Sequence, residues 1–257
     1  VDTRRRAILA LLTVALTACS SVASRPPAPL PAAPAARLAA VRAAEDRIHT
    51  LRAQFTSTTY MQDGERSADG VLLVSKPDRF RLRLMLPFGL TVFDYLEIGD
   101  QAWLVSPLGG SEDLTRPNGE SPFSRQDLGE TFLRGSYAFP GECVASGGND
   151  ADVAVSCRAG GELLRTLAID RDGISEETSY GGGDVRLRIR YSDYREVSGI
   201  ALPFHILLEY PQRQQSVDIA IQQYEVNPTL PAELFQPAPG STPQRAASTG
   251  RSPCADS

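Results

Sequence analysis

Three stretches of this chain alternate apolar and charged residues without a break. That alternation restricts the fold more than any other feature. In RFRLRLML, Phe80, Leu82, Leu84 and Leu86 fall on one face and Arg79, Arg81 and Arg83 on the other. VRLRIRY sets Val185, Leu187, Ile189 and Tyr191 against Arg186, Arg188 and Arg190, and VDIAIQQY sets Val217, Ile219 and Ile221 against Asp218 and Gln222. A period of two with one polar face marks antiparallel strands that are wet on one side. Turn signals separate the runs: Asp63-Gly64, Pro87-Phe88-Gly89, Gly99-Asp100, Asp172-Gly173, Gly181 to Gly183 and Ser198-Gly199. About ten such strands are expected, enough for one large curved sheet.

Two stretches read as helices. Between Leu38 and Phe55, the residues Val41, Ala44, Ile48, Leu51 and Phe55 recur at spacings of three and four, with Arg42, Glu45, Asp46, Arg47, His49 and Arg52 between them. A second helix is expected from Ser124 to Arg134, with Ser124 as its N-cap and Leu128, Phe132 and Leu133 facing inward. Residues 107–123 read as a loop. The fold class that follows is mainly β with α: an antiparallel sheet whose apolar face lies under helices.

The first residues carry an export signal. Arg4, Arg5 and Arg6 precede an apolar run from Ala7 to Ala18 that ends in LTACS. A spanning helix needs about 20 apolar residues, so the run is too short to remain in a bilayer. Leu16-Thr17-Ala18-Cys19 resembles the bacterial lipobox, which makes Cys19 the expected lipidation site and new N-terminus. Ser20 follows where an Asp would mark inner-membrane retention, so the expected address is the periplasmic face of the outer membrane. Removing residues 1–18 takes away three Arg and Asp2, and the net charge of −5 becomes −7. An acidic chain with no basic run is a poor partner for nucleic acid. Residues 19–36 hold Pro26, Pro27, Pro29, Pro31 and Pro34 among Ala and Ser and read as an extended tether. The folded domain is expected at 37–236 and a disordered tail at 237–257, where Pro, Ser, Thr and Gln replace apolar residues.

Motifs for chemistry are missing from the sequence. It contains no HExxH, CxxC, P-loop or GxSxG pattern. His49 sits on the solvent side of the first helical stripe, and His205 alternates out of phase with Phe204 and Ile206, so both read as surface residues. Neither enzymatic activity nor a metal or cofactor is expected. Cys143 and Cys157 flank a turn about Gly147 to Asp150, which sets them near opposite positions of a hairpin. In an oxidising compartment a disulfide is the expected state, two buried thiols the alternative, and Cys254 is left over in the tail.

The order of parts resembles the LolA/LolB family of outer-membrane lipoprotein carriers and receptors. The likeness runs from LTACS through the first helix to YMQDGERSADGVLLVSKPDRFRLRLMLPFG. It resumes at ISEETSYGGGDVRLRIRYSDYREVSGIALPFHILLEY and ends near VDIAIQQYEV. Trp103 as the only Trp, the Cys143–Cys157 hairpin and the tail beyond Phe235 depart from that pattern. The resemblance implies an unclosed antiparallel half-barrel covered by helices, enclosing an apolar cavity for acyl chains. It also implies acylated lipoproteins or lipids, the outer membrane and a soluble LolA-like periplasmic carrier as partners. The cavity is expected to be lined by Phe80, Leu82, Leu84, Ile189, Tyr191, Ile219 and Ile221, with strand 90–98 ambiguous because Leu90, Val92 and Leu96 compete with Phe93 and Tyr95 for the inside. The family's membrane-inserting Leu lies in a Pro-Leu-Gly turn, which here reads Pro87-Phe88-Gly89 and passes the role to Phe88. The function implied is delivery of acylated cargo to the outer membrane. The alternative is a tethered envelope sensor or scaffold that binds a protein partner.

Overall fold

The computed structural model describes residues 34–99, 101–105, 142–148, 152–237 and 244–245. Among them lie one α-helix, α1 (Pro34–Asp46), and thirteen strands. The first run is β1 (Thr50–Met61), β2 (Gly64–Ser75), β3 (Arg79–Leu86), β4 (Leu90–Ile98) and β5 (Gln101–Val105). The second is β6 (Glu142–Gly148), β7 (Val153–Ala159), β8 (Glu162–Ile169), β9 (Ile174–Gly181), β10 (Asp184–Val197), β11 (Ile200–Tyr210) and β12 (Gln215–Val226). A short β13 (Gln244–Arg245) comes from the tail. The expected signal, lipidation site, helix at 124–134, loop at 107–123 and Cys254 lie outside the described residues.

One sheet holds every strand, in the order β13-β5-β4-β3-β2-β1-β12-β11-β10-β9-β8-β7-β6. Each neighbouring pair is antiparallel. The two meanders are joined where β12 returns to pair with β1, Leu51 opposite Val226 and Tyr60 opposite Ser216. β13 and β6 stand at opposite ends of the order, so the sheet formed by the described strands is unclosed, as the resemblance implied.

The helix is shorter than the sequence pattern suggests. It stops at Asp46, and the expected helical positions Leu51 and Phe55 lie on β1. Ile48, Leu51 and Phe55 satisfy a helical spacing, but Leu51, Ala53 and Phe55 equally form a period-two face, and all three are buried. Thr50, Thr56, Thr58 and Thr59 favour the extended form, and β1 is paired along its length on both sides. Tertiary pairing decides a segment whose local pattern fits both states. Asn227 then seals the junction, its side-chain oxygen accepting the His49 and Thr50 N–H groups at 2.8 and 3.2 Å while its amide donates to the Arg47 carbonyl at 2.9 Å.

Three apolar clusters follow. The largest lies on the inner face of β1–β5 and β10–β12, with Ala44 of α1 packed against it. A second joins Leu38 of α1 to Val153, Val155, Leu167 and Ile169. The third is on the outer face, where Leu73, Leu96 and Trp103 are covered by Phe235 and Leu230 of the segment after β12. Both faces of β4 are therefore buried, which resolves the ambiguity at 90–98: Phe93 and Tyr95 face in and Leu96 faces out.

The same cover overturns the expectation that Arg81 faces water. Arg81 is buried, and its Nε and Nη2 grip the two carboxylate oxygens of Asp94 at 2.8 and 2.7 Å. Its Nη1 donates to the carbonyls of Leu234 and Gln236 at 2.7 and 3.1 Å. One guanidinium thus binds the C-terminal strap to β3 and β4. Alternation tells which face a residue is on, not what covers that face.

Candidate functional site: an exposed turn and a buried seam

Strand pairing alone places Phe88. β3 and β4 meet at Pro87–Gly89, at the end of the sheet that also carries the β1–β2 turn. Pro87 fixes its own φ and cannot donate, and Gly89 tolerates its positive φ of 77°. Between them Phe88 has φ 72° and ψ 14°, a left-handed conformation that bulky L-residues avoid. That backbone swings the ring away from the sheet, and Phe88 is fully exposed, at 106%. Leu90 and Tyr60 are exposed near the same end of the sheet. Burial contributes nothing at Phe88, yet the turn carries backbone strain to present its ring.

The seven expected lining residues do come together. Phe80, Leu82, Ile189, Ile219 and Ile221 are buried members of the inner cluster, and Leu84 and Tyr191 pack against it from partly buried positions. What the described residues show there is a packed apolar face. Tyr191 also touches the second cluster and so marks the seam between the two.

Beneath that seam lies a polar group that the sequence did not reveal. Arg165 on β8 and Glu177 on β9 form an ion pair at 3.0 Å, each about 1% exposed. Glu45, in the last turn of α1, joins them. Its carboxyl is pushed up from 4.5 to about 8, chiefly by burial, with Glu177 and Asp46 raising it further and Lys76 pulling it down. Burial likewise pushes the Tyr191 phenol well above its ordinary value, and Glu177 adds to that. Glu45 had read as a solvent-side residue of an amphipathic helix, and helical spacing alone carries no signal that would place it inside.

On the outer face, Ser192, His205 and Asp218 line up across β10, β11 and β12. Ser192 Oγ lies 3.0 Å from His205 Nδ1, and His205 Nε2 lies 2.9 and 3.0 Å from the two Asp218 oxygens. His205 is on the solvent side, as its alternation implied. The residue types are those of an acyl-transfer triad, but the His205 and Asp218 side chains are each more than a third exposed on the outer face. Among the described residues no three His, Cys, Asp or Glu side chains gather in a metal-binding cluster, and no helix is long and apolar enough to cross a membrane.

At the far end of the sheet, Cys143 on β6 stands directly opposite Cys157 on β7, and a disulfide joins them. The adjacent β6 edge and the flank of α1 frame a groove lined by Leu38, Ala39, Arg42, Cys143 and Val144, with Val144 exposed.

The sequence matches no protein-family model and no curated protein. The fold does match solved structures. A domain assigned to outer-membrane lipoprotein sorting from Vibrio parahaemolyticus superposes with a TM-score of 0.55 at 12% identity, over 77% of this chain and 95% of that one. A LolA superfamily protein from Nitrosomonas europaea gives 0.57 at 12% identity over 78% and 97%. A DUF1329 family protein from Desulfovibrio piger gives 0.58 at 12% identity over 76% and 97%. Similarity that extends over nearly the whole of each of these structures gives this chain, with its unclosed antiparallel sheet, a LolA/LolB-like fold.

Proposed function

We propose that this chain is a lipoprotein anchored through Cys19 to the periplasmic face of the outer membrane, and that it binds acyl chains and helps deliver acylated cargo to that membrane. The observation that carries the reading is Phe88: a fully exposed aromatic in a strained, left-handed turn of a LolA/LolB-like sheet. Such a residue has a use at a lipid surface and none in stabilising the fold. The acyl chain would lie against the inner apolar face between Phe80, Leu82 and Leu84 on one side and Ile189, Tyr191, Ile219 and Ile221 on the other. The partners would be acylated lipoproteins or lipids and a soluble LolA-like carrier. The role is binding and transfer, without covalent chemistry. Native mass spectrometry of the soluble Cys19→Ala form tests it: copurifying lipid, or saturable uptake of a fluorescent acyl chain, is expected, and a protein that takes up neither overturns the reading.

The groove between α1 and the β6 edge favours a second reading, a tethered scaffold that docks a protein partner. Under that reading Val144→Arg abolishes function while Phe88→Glu leaves it intact.

A further inference from the structure

A carboxyl oxygen of Glu45 that neither water nor a hydrogen bond reaches asks for an explanation. Glu45 lies in the last turn of α1, where the helix dipole already opposes a negative charge. Lys76, from the turn after β2, donates its ammonium to the Glu45 main-chain carbonyl at 2.8 Å rather than to the carboxyl. Glu45 Oε2 is inaccessible to solvent and makes no hydrogen bond. The titratable groups around it are Asp46 on the same helix, Lys76 on its turn and Glu177 on β9, with Arg165 of β8 held by Glu177 and Tyr191 of β10 within electrostatic reach. A Leu or Met at this position would fill the space without leaving a polar atom unmatched. The site thus keeps a carboxyl oxygen that the described residues leave without a hydrogen bond.

We propose that Glu45 is the polar anchor of the interior: a neutral carboxylic acid that donates a hydrogen bond to the ester or amide carbonyl of an acylated ligand. The inference rests on the acyl-binding reading and deepens it by naming the chemistry at the head of the chain. Position supports it, because Ala44 beside it packs on the inner cluster, and Tyr191, which touches both clusters, lies within electrostatic reach of Glu45. Charge narrows the ligand. An ionised head group would meet the buried Glu177 carboxylate if anionic, and would strip the proton from Glu45 if cationic. A neutral carbonyl attached to a long apolar chain accepts the one hydrogen bond on offer and leaves the Arg165–Glu177 pair intact.

The test uses the full chain in its soluble Cys19→Ala form, with a fluorescent long-chain methyl ester and the matching alkylammonium as probes. The ester should bind about tenfold more tightly at pH 6 than at pH 9.5, the size of a net hydrogen bond, with a midpoint near the Glu45 value of about 8. Glu45→Gln keeps a donor, so it should bind the ester with no pH dependence. Glu45→Leu should lose about tenfold at pH 6 with a thermal midpoint no lower than the parent's. Ester affinity and pH profile unchanged in Glu45→Leu would overturn the anchor while leaving acyl binding standing. Tighter binding of the alkylammonium at high pH, lost in Glu45→Gln, would overturn the carbonyl assignment. Failure of the unaltered chain to bind any acyl probe would overturn acyl binding itself, and the anchor with it.

Discussion

Replacing Phe88 by Gly separates function from stability, because the two are expected to move in different directions. The ring is fully exposed, so its loss removes no buried area. The left-handed backbone of Phe88 costs about 1–2 kcal/mol for an L-residue and little for Gly. Against that relief, Gly loosens the unfolded chain by about 0.4–1 kcal/mol. The net expectation is a fold unchanged or stabilised by up to about 1.6 kcal/mol, seen as a thermal midpoint that holds or rises by a few degrees. Burying one Phe in lipid contributes about 1.5–3 kcal/mol, or roughly ten- to a hundredfold in partitioning. Co-flotation of the soluble Cys19→Ala form with phospholipid vesicles reads this directly. Phe88→Gly and Phe88→Glu should both lose association by that factor, and Phe88→Leu should keep most of it. A drop of several degrees in the Phe88→Gly midpoint, or vesicle association equal to the parent's, would refute the reasoning, since either means that the ring serves the fold or nothing at all.

Other expectations follow from the same geometry. Glu45 holds its proton to about pH 8 when folded but only to about 4.5 when unfolded, so stability is full below pH 4.5 and declines as pH rises to about 8. The total decline is of the order of 5 kcal/mol, at about 1.4 kcal/mol per tenfold change in proton affinity, and thermal melts of Glu45→Gln should lack it. Non-reducing peptide mapping should recover Cys143 joined to Cys157, and reduction should lower stability by up to about 3 kcal/mol for a loop of this length; a map pairing either with Cys254 contradicts the hairpin. Cys19→Ala should release the chain from outer-membrane fractions, and retention after a high-salt wash would place the anchor elsewhere.

The parts of the fold legible in the sequence were those set by local pattern. Alternation in β3, β10 and β12 tells which side chains share a face, since a strand can turn only one set inward, and the seven residues it grouped lie in or against the inner cluster. Pro87 and Gly89 marked the turn that exposes Phe88. What was hidden depends on contacts between distant segments. Residues 48–55 satisfy both periods, and only pairing of β1 with β12 and β2 decides between them. Arg81 looks like its neighbours Arg79 and Arg83, and its burial follows from a strap some 150 residues later in the chain, at Leu234 and Gln236. Glu45 carries the pattern of a surface acid because a helix wheel shows which residues share a side, not how deeply the last turn sinks.

That strap bears on the membrane turn as well as on the core. Arg81 and Arg83 both reach Asp94, so β3 and β4 are tied to each other and, through Nη1 of Arg81, to the segment that crosses them. The pairing of β3 with β4 shifts register between Leu84 and Met85, two residues before the turn begins. A strained turn beyond an irregular stretch keeps its shape only if the strands behind it are held. Arg81→Met should remove that hold, leaving Asp94 with only the half-exposed Arg83 and two strap carbonyls without their donor. Breaking a buried pair in this way costs about 3 kcal/mol, and the Arg81→Met midpoint should fall accordingly. Hydrogen exchange should accelerate at 230–237 and in β3 and β4 before it does in β10–β12. If the clamp also sets the posture of Phe88, vesicle association should weaken at temperatures where the sheet remains folded. Faster exchange in β3 and β4 with undiminished vesicle association would show that Pro87 and Gly89 hold the ring outward by themselves.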